Sequence, residues 1–165
     1  MNWGEFKRTV PEIARLGEER FEQTGLALIG TVRRDGSPRV SPVEPYLADD
    51  HLLLGMMARS KKAVDLLRDP RCVVHSVVSD RNGSEGEFKL RGRAVLVEDP
   101  ELLESYCRAY AARQGGRPPA GFPAHLFSLD IGSAAFIGWD IAMSEMLVKR
   151  WTPRHGLRET RRKYP

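Results

Sequence analysis

Residues 51–78, HLLLGMMARSKKAVDLLRDPRCVVHSVV, decide the fold, because they predict a strand, a helix and a second strand in close succession. His51 to Met57 and Cys72 to Val78 are apolar runs of strand length. Ser60 is a suitable N-cap for the helix between them, and Asp69-Pro70 ends that helix. Its apolar positions recur at the i, i+3, i+4 spacing of one buried face: Ala63, Leu66 and Leu67. The sequence therefore predicts a strand-to-helix loop directly before Ser60.

Three cations surround the start of this helix: Arg59, Lys61 and Lys62. A helix N-terminus carries roughly half a positive charge and unpaired N–H groups, so its first turn favours acidic residues. A bound dianion explains the reversed charge, because backbone N–H groups, the Ser60 hydroxyl and two ammonium groups would converge on a phosphate. The alternative interpretation is that these long side chains are simply solvated.

The remaining sequence predicts a mainly β fold with flanking helices, in a single domain over residues 1–165. Pro11 begins an N-terminal helix that runs to about Gln23, and a second long helix follows Asp99. Further strands are predicted over residues 26–32, 39–47, 87–98, 125–131, 134–139 and 143–151. Because hairpin-linked strands alternate with helices, the expected architecture is an antiparallel barrel with helices packed outside it.

The strand predicted over residues 39–47 carries candidate site residues. Under period-two alternation Arg39, Ser41 and Val43 share one face of this strand. Pro42 and Pro45 cannot donate backbone hydrogen bonds, so we expect an edge or bulged strand here.

Charge is unevenly distributed along the chain. Residues 148–165 hold seven of the Lys and Arg residues and a single acid, Glu159, and residues from about 152 to 165 are predicted to be a basic C-terminal tail. Such a tail can bind an anionic ligand, but no nucleic-acid module accompanies it and a nucleic-acid partner is not expected.

No apolar run approaches the ~20 residues of a membrane span. Without a signal-peptide pattern, and with Cys72 and Cys107 interpreted as small apolar residues, a cytoplasmic location is expected.

The sequence lacks the motifs of side-chain catalysis. The four histidines have no metal-ligand spacing, and there is no nucleophile elbow, Walker loop or glycine-rich dinucleotide motif. No metal site and no catalytic residue is predicted. If the protein is an enzyme, a cofactor is expected to carry the chemistry while the protein holds and orients it.

Four segments resemble the pyridoxamine 5'-phosphate oxidase-like proteins, the FMN-binding split-barrel family. Their opening hairpin is similar to residues 28–43, LIGTVRRDGSPRVSPV. Their phosphate-binding loop and helix are similar to RSKKA at 59–63 together with LRDP at 67–70. KLRGRA, residues 89–94, resembles their fifth strand. WTP at 151–153, followed by Gly156, is similar to the closing strand and tail of many members. The first three segments lie within about residues 26–98.

The resemblance implies an antiparallel six- to seven-stranded split β-barrel that forms a homodimer, with FMN in grooves at the subunit interface. Ser60, Lys61 and Lys62, with Arg59, would hold the FMN phosphate. The other residues that the resemblance assigns to cofactor binding are Arg39 and Ser41 near the phosphate and ribityl chain, Val43, Met56 and Met57 beside the ring, and Val40. Trp151 is either a contact from the second chain or an ordinary core aromatic residue.

The function implied is a flavin (FMN)-binding oxidoreductase that transfers hydride through flavin N5 to or from a small-molecule redox substrate. Gly55 and Met56 stand where the vitamin B6 oxidases place polar or aromatic flavin contacts, which argues against pyridoxamine phosphate oxidation itself. Two alternatives stay open. One is a reductase that depends on a deazaflavin coenzyme, whose acidic tail would need cations from residues 148–165 or from Lys89, Arg91 and Arg93. The other is a non-enzymatic protein that binds flavin or haem.

Overall fold

The strands of the computed structural model form one antiparallel sheet, and the structure describes residues 1–163. The helices are α1 (Trp3–Thr9), α2 (Pro11–Thr24), α3 (Lys61–Arg68) and α4 (Pro100–Gln114). The strands are β1 (Ala27–Val32), β2 (Pro38–Val43), β3 (Pro45–Ala48), β4 (His51–Met56), β5 (Arg71–Ser76), β6 (Glu87–Leu96), β7 (His125–Asp140), β8 (Glu145–Thr152) and β9 (Gly156–Lys163).

The sheet is not closed into a barrel, which corrects one part of the predicted fold class. Its main path runs β2-β1-β5-β6-β7-β4-β3, and β8 and β9 extend it from β7. The described residues therefore form nine strands rather than six or seven. The path ends at β2 and β3, which follow each other in the chain but do not pair. Prolines in both end strands agree with the predicted edge position, because proline cannot donate to a ladder.

The opening hairpin is confirmed. β1 and β2 pair from Ala27–Val43 to Val32–Pro38, with the predicted turn between them. The single strand expected over 39–47 is instead two strands, broken at Glu44. β2 then belongs to one edge of the sheet and β3 to the other.

The C-terminal region differs from its prediction. Gly156–Lys163 is strand β9, paired with β8 from Glu145–Lys163 to Thr152–Gly156, so this part of the predicted basic tail is built into the sheet. Tyr164 and Pro165, the end of the predicted tail, lie outside the described residues. The two strands expected over 125–131 and 134–139 are one continuous strand, β7, which pairs with both β4 and β6.

The helices agree with prediction except at the N-terminus. α2 and α4 begin at Pro11 and Pro100 and end at glycines in the left-handed conformation, as the sequence signals indicate. α1 was not predicted, although Asn2 and Glu5 form a capping box with distances of 2.9 and 3.0 Å. None of the helices in the described part of the chain is long and apolar enough to cross a membrane.

Two apolar clusters hold the fold together. The larger lies between the sheet and helices α1 and α2 and includes Trp3, Phe6, Phe21 and Phe88. Trp151 belongs to it, is 2% exposed, and packs edge-on against Phe6 with ring centroids 5.4 Å apart. The smaller cluster, around Tyr46 and Tyr106, lies under α4.

Candidate cofactor-binding site at the start of helix α3

Helix α3 begins as the sequence predicts, with Ser60 as its N-cap. The Ser60 hydroxyl accepts from the Ala63 N–H at 3.4 Å, and its carbonyl accepts from the Val64 N–H at 3.0 Å. Arg59, with φ of 56°, occupies the left-handed region, which turns the chain into the helix. The first turn contains no acidic residue, and within residues 1–163 the N–H groups of Lys61 and Lys62 have no hydrogen-bond partner.

Lys62 is the most constrained of the three cations. Its ammonium group donates to the carbonyl oxygen of Pro42 on β2. Partial burial lowers the pKa of Lys62, an effect that the negative charge of Glu44 only partly opposes. Among residues 1–163, neither Arg59, Lys61 nor Lys62 forms an ion pair with a carboxylate. A bound dianion would supply the counter-charge that this helix start lacks.

An ion pair fixes α3 against the edge of the sheet. Arg39 Nε on β2 donates to Asp65 Oδ2 on α3 at 2.6 Å, and Thr31 Oγ1 on β1 donates to the same oxygen at 2.9 Å. Burial raises the pKa of the Asp65 carboxyl, but hydrogen bonds from Arg39 and Thr31 outweigh it, and the pKa lies below its ordinary value. Sequence reasoning missed Asp65. The one sequence signal for Asp65 is that this acidic residue directly precedes Leu66, a predicted buried position of the helix.

The structure brings most of the predicted site residues together at the junction of β2, β4 and α3. Arg39 and Ser41 are partly buried on one face of β2, as predicted, and Val43 on the same face is in the core. Val40 lies on the opposite face and is 68% exposed. Met57 is 66% exposed just before α3, whereas Met56 is 1% exposed inside the core.

Three of the predicted cofactor contacts are core residues in this chain. Val43, Met56 and Trp151 all belong to the larger apolar cluster. For Trp151 the structure favours the second of the two alternatives, a core aromatic residue, because almost none of its surface is available to another chain. Gly55 also has a packing role, since a Cβ atom built there would lie 2.3 Å from the Tyr106 hydroxyl.

A second cationic region, here called the outer groove, crosses β7, β8 and β9 on the face of the sheet opposite Trp151. It is a depression of about 510 Å³ lined by Ile137, Val148, Arg150, Thr152, His155, Gly156, Arg158, Thr160 and Arg162. A neighbouring depression of about 310 Å³ shares Arg150 and adds Lys89 and Arg91. Cations from both regions that the sequence offers for an acidic ligand tail, residues 148–165 and the strand with Lys89 and Arg91, therefore lie on one face of the sheet.

The residues at the start of α3 fit the phosphate of a nucleotide-like cofactor. Two unpaired N–H groups, a serine hydroxyl and a half-buried ammonium group form the donor set that phosphate requires. The terminal nitrogens of Arg39 add to this set, because only its Nε is used in the ion pair with Asp65. A helix start rich in cations and hydrogen-bond donors therefore lies at the open edge of the antiparallel sheet.

Comparison with known proteins identifies the class. A family model described as pyridoxamine 5'-phosphate oxidase matches residues 17–138, and the chain belongs to this family. No curated protein matches the sequence.

Solved structures with low sequence identity share the fold. A pyridoxamine 5'-phosphate oxidase-related, FMN-binding protein from Nostoc punctiforme has 16% identity and a TM-score of 0.62, over 93% of this chain and 96% of that one. PhzG from Burkholderia lata, in complex with tetrahydrophenazine-1-carboxylic acid, has 15% identity and a TM-score of 0.62, and the match covers 98% of this chain and 93% of PhzG. A heme-binding protein from Mycobacterium smegmatis has 15% identity and a TM-score of 0.58, and the match covers 90% of this chain and 88% of that protein.

Proposed function

We propose that this protein binds FMN at the start of α3 and acts as a flavin-dependent oxidoreductase on a small-molecule redox substrate. One observation carries the proposal: the first turn of α3 combines unpaired N–H groups with Lys61 and Lys62, and no carboxylate of residues 1–163 pairs with either lysine. Membership of the family and the fold shared with an FMN-binding protein support it.

Each residue at this site has a distinct role in the proposal. The Lys61 and Lys62 N–H groups and the Ser60 hydroxyl bind the phosphate, and the two ammonium groups neutralise it. Asp65 holds Arg39 so that its guanidinium faces the same region. Met57 and Ser41 are the accessible candidates for contact with the rest of the cofactor, since Val43 and Met56 are buried. A bound flavin supplies hydride transfer through its N5, so that no side-chain acid or base is required.

The proposal includes a homodimer. Val40 is 68% exposed and Leu28 is 37% exposed, and both lie on the outer face of the sheet beside Gly30 and Val73. A second copy covering this apolar face would remove it from water and protect the edge at β2. With Trp151 buried, contact from the second chain is assigned to the exposed side chains of β8 and β9 instead.

Two other ligands are supported by specific observations. The outer groove offers Arg150, Arg158 and Arg162 with Lys89 and Arg91 nearby, which are cations of the kind that the acidic tail of a deazaflavin coenzyme needs. The shared fold with a heme-binding protein supports haem as the ligand of a non-enzymatic protein. We favour FMN because the phosphate-binding donors at α3 do not require a longer ligand.

An absorbance spectrum of the purified protein distinguishes these ligands. We expect the visible bands of an oxidised flavin and release of FMN on heating, identified by mass. Bleaching by a nicotinamide donor and reoxidation by an added acceptor would support an enzyme. A haem spectrum, or a deazaflavin that binds more tightly than FMN in competition, would contradict the proposal.

Substitution at the helix start tests the site itself. Lys61→Ala with Lys62→Ala should weaken FMN binding about a hundredfold, since each charge-assisted hydrogen bond contributes ~1.5–3 kcal/mol. The matched control is Arg8→Ala with Arg15→Ala, which removes the same charge from exposed positions on α1 and α2. Equal FMN affinity in both double variants would exclude this phosphate site.

A further inference from the structure

A cavity of about 290 Å³, here called the α4 cavity, lies where the end of β6, the middle of β7 and the start of helix α4 meet. This volume is close to the lower end of the ~300–1,000 Å³ range of small-molecule sites. None of the residues that line it belongs to the start of α3, to the outer groove or to the depression around Val40. The α4 cavity is therefore separate from the candidate cofactor site and from the face assigned to the homodimer.

The buried end of the α4 cavity is polar. Ser128 on β7 is 8% exposed, and its Oγ lies 2.7 Å from Nδ1 of His51 on β4. Among residues 1–163, the other ring nitrogen of His51, Nε2, has no hydrogen-bond partner. Nε2 donates when the Ser128 hydroxyl donates to Nδ1, and it accepts when Nδ1 donates to Ser128. In either tautomer His51 can therefore form one hydrogen bond with a ligand.

The walls of the α4 cavity are apolar and partly open to water. Val95 is 51% exposed and Leu96 is 41% exposed, although both belong to strand β6. Val97 and Leu102 are partly buried and pack against the smaller apolar cluster under α4. A ligand with an apolar body would remove the exposed surface of these side chains from water.

The mouth of the α4 cavity carries negative charge. Glu98, Asp99 and Asp130 line the cavity, and no lysine or arginine lines it with them. Asp99 caps α4 by accepting from the Glu101 N–H at 2.9 Å, and Asp130 pairs with the amino group of Met1. Within residues 1–163, Glu98 forms neither an ion pair nor a side-chain hydrogen bond. Its exposed carboxylate is therefore available to a cation.

We propose that the α4 cavity binds a small organic amine whose apolar body carries a hydrogen-bonding group at the end opposite the ammonium group. The ammonium group pairs with Glu98 at the mouth, and the hydrogen-bonding group contacts Nε2 of His51 at the buried end. The apolar body lies against Val95, Val97 and Leu102. This site depends neither on the cofactor proposed for α3 nor on the homodimer.

Tyramine is a suitable probe, because its aromatic ring separates an ammonium group from a phenol hydroxyl. Phenethylamine lacks the hydroxyl, and tyrosol replaces the ammonium group with a neutral hydroxyl. We expect saturable binding of tyramine in calorimetric titrations, and each analogue should bind about fivefold more weakly because it loses one polar contact. Saturating FMN should leave tyramine binding unchanged.

Substitutions assign the two polar contacts. Glu98→Gln should weaken tyramine binding about fivefold while tyrosol binding changes less than twofold. The matched control is Glu101→Gln, which removes the same charge from the first turn of α4 but from a residue that does not line the cavity. His51→Phe should weaken tyramine binding about fivefold while phenethylamine binding is unchanged. A variant that fails to fold would lose both ligands of its pair, so it is recognised directly.

Four results would overturn the proposal: absence of saturable tyramine binding, tyrosol binding as tight as that of tyramine, equal weakening by Glu98→Gln and Glu101→Gln, or displacement of tyramine by FMN. The first three would leave FMN binding at α3 untouched, so that failure of this site is distinguished from failure of the proposed cofactor site.

Discussion

Arg39 Nε lies 2.6 Å from Asp65 Oδ2, and this ion pair joins the edge strand β2 to helix α3. Asp65 is nearly buried and receives a second hydrogen bond from Thr31 on β1. The carboxylate thus connects three elements, β1, β2 and α3. It keeps the Arg39 guanidinium close to the helix start where the phosphate is expected.

Asp65→Asn should therefore affect both stability and cofactor binding. The substitution leaves Arg39 without its counter-charge, and we expect a loss of about 2–4 kcal/mol in the free energy of unfolding. FMN affinity should fall because Arg39 is no longer held in place. Urea unfolding and FMN titration measure the two effects. Glu19→Gln, which breaks the exposed pair with Arg15, is the control and should cost no more than about 0.5 kcal/mol. Unchanged stability of Asp65→Asn would show that the ion pair does not anchor α3.

Glu85 should make stability depend on pH in the acid range. It accepts the Asp80 N–H at 3.0 Å and pairs with Arg20 at 3.1 Å. The hydrogen bond from the Asp80 N–H has the largest effect on the pKa of Glu85. Together with Ser79 and Arg20 it lowers this pKa from 4.5 to about 2, although burial acts in the opposite direction. Because the folded pKa is below the unfolded one, the stabilisation is present above pH 4.5 and is lost as the pH falls toward 2.

The test of Glu85 compares wild type with Glu85→Gln by urea unfolding between pH 2 and 7. The wild type should be more stable near neutrality, and the difference should shrink steadily below pH 4.5. A difference that stays constant across this range would mean that the charge of Glu85 is not what stabilises the loop.

Gly55→Ala should destabilise the packing of α4 on the sheet. A Cβ atom at residue 55 would lie 2.3 Å from the Tyr106 hydroxyl, so the ring must shift at a cost of about 1–3 kcal/mol. Tyr106→Phe in the same chain should recover part of this loss, because it removes the nearest atom. Gly132→Ala is the control, since its Cβ would have only the Arg91 carbonyl at 3.5 Å. Thermal melting of the wild type and these three variants decides the question.

Trp151→Phe separates a core role from a cofactor role. Trp151 is buried against Phe6, so a smaller ring should cost about 1–3 kcal/mol in stability. FMN affinity should change less than twofold when measured well below the melting temperature. A large loss of FMN affinity without a loss of stability would place Trp151 at the cofactor site after all.

The homodimer is tested at Val40. Light scattering of the wild type should give twice the mass of one chain. Val40→Glu places a charge in the exposed apolar face and should weaken the dimer at least tenfold. Val95→Glu is the control, because Val95 is 51% exposed but lies toward the end of β6 and does not line the depression to which Val40 belongs. A wild-type monomer that still binds FMN tightly would contradict the proposed arrangement.

The local elements of this fold were predictable because they depend on neighbours in the chain. Ser60 caps α3, Pro11 and Pro100 begin helices, and the hairpin turn before Ser37 forms as expected. α1 could also have been found, because its capping box is written in the sequence as Asn2 and Glu5. The cations at α3 were found for the same local reason, since their charge conflicts with the helix dipole.

The sequence by itself thus determined the main helices, most strands and the cationic helix start, and with them the family. Only the tertiary structure decided that the sheet stays open, that residues 156–163 pair with β8, and that Val43, Met56 and Trp151 are buried. It also decided that Asp65 holds Arg39, 26 residues away, and that three arginines of the basic C-terminal region share one face. These features arise from pairing and packing between residues that are distant in the chain. Local propensity and periodicity do not predict such contacts.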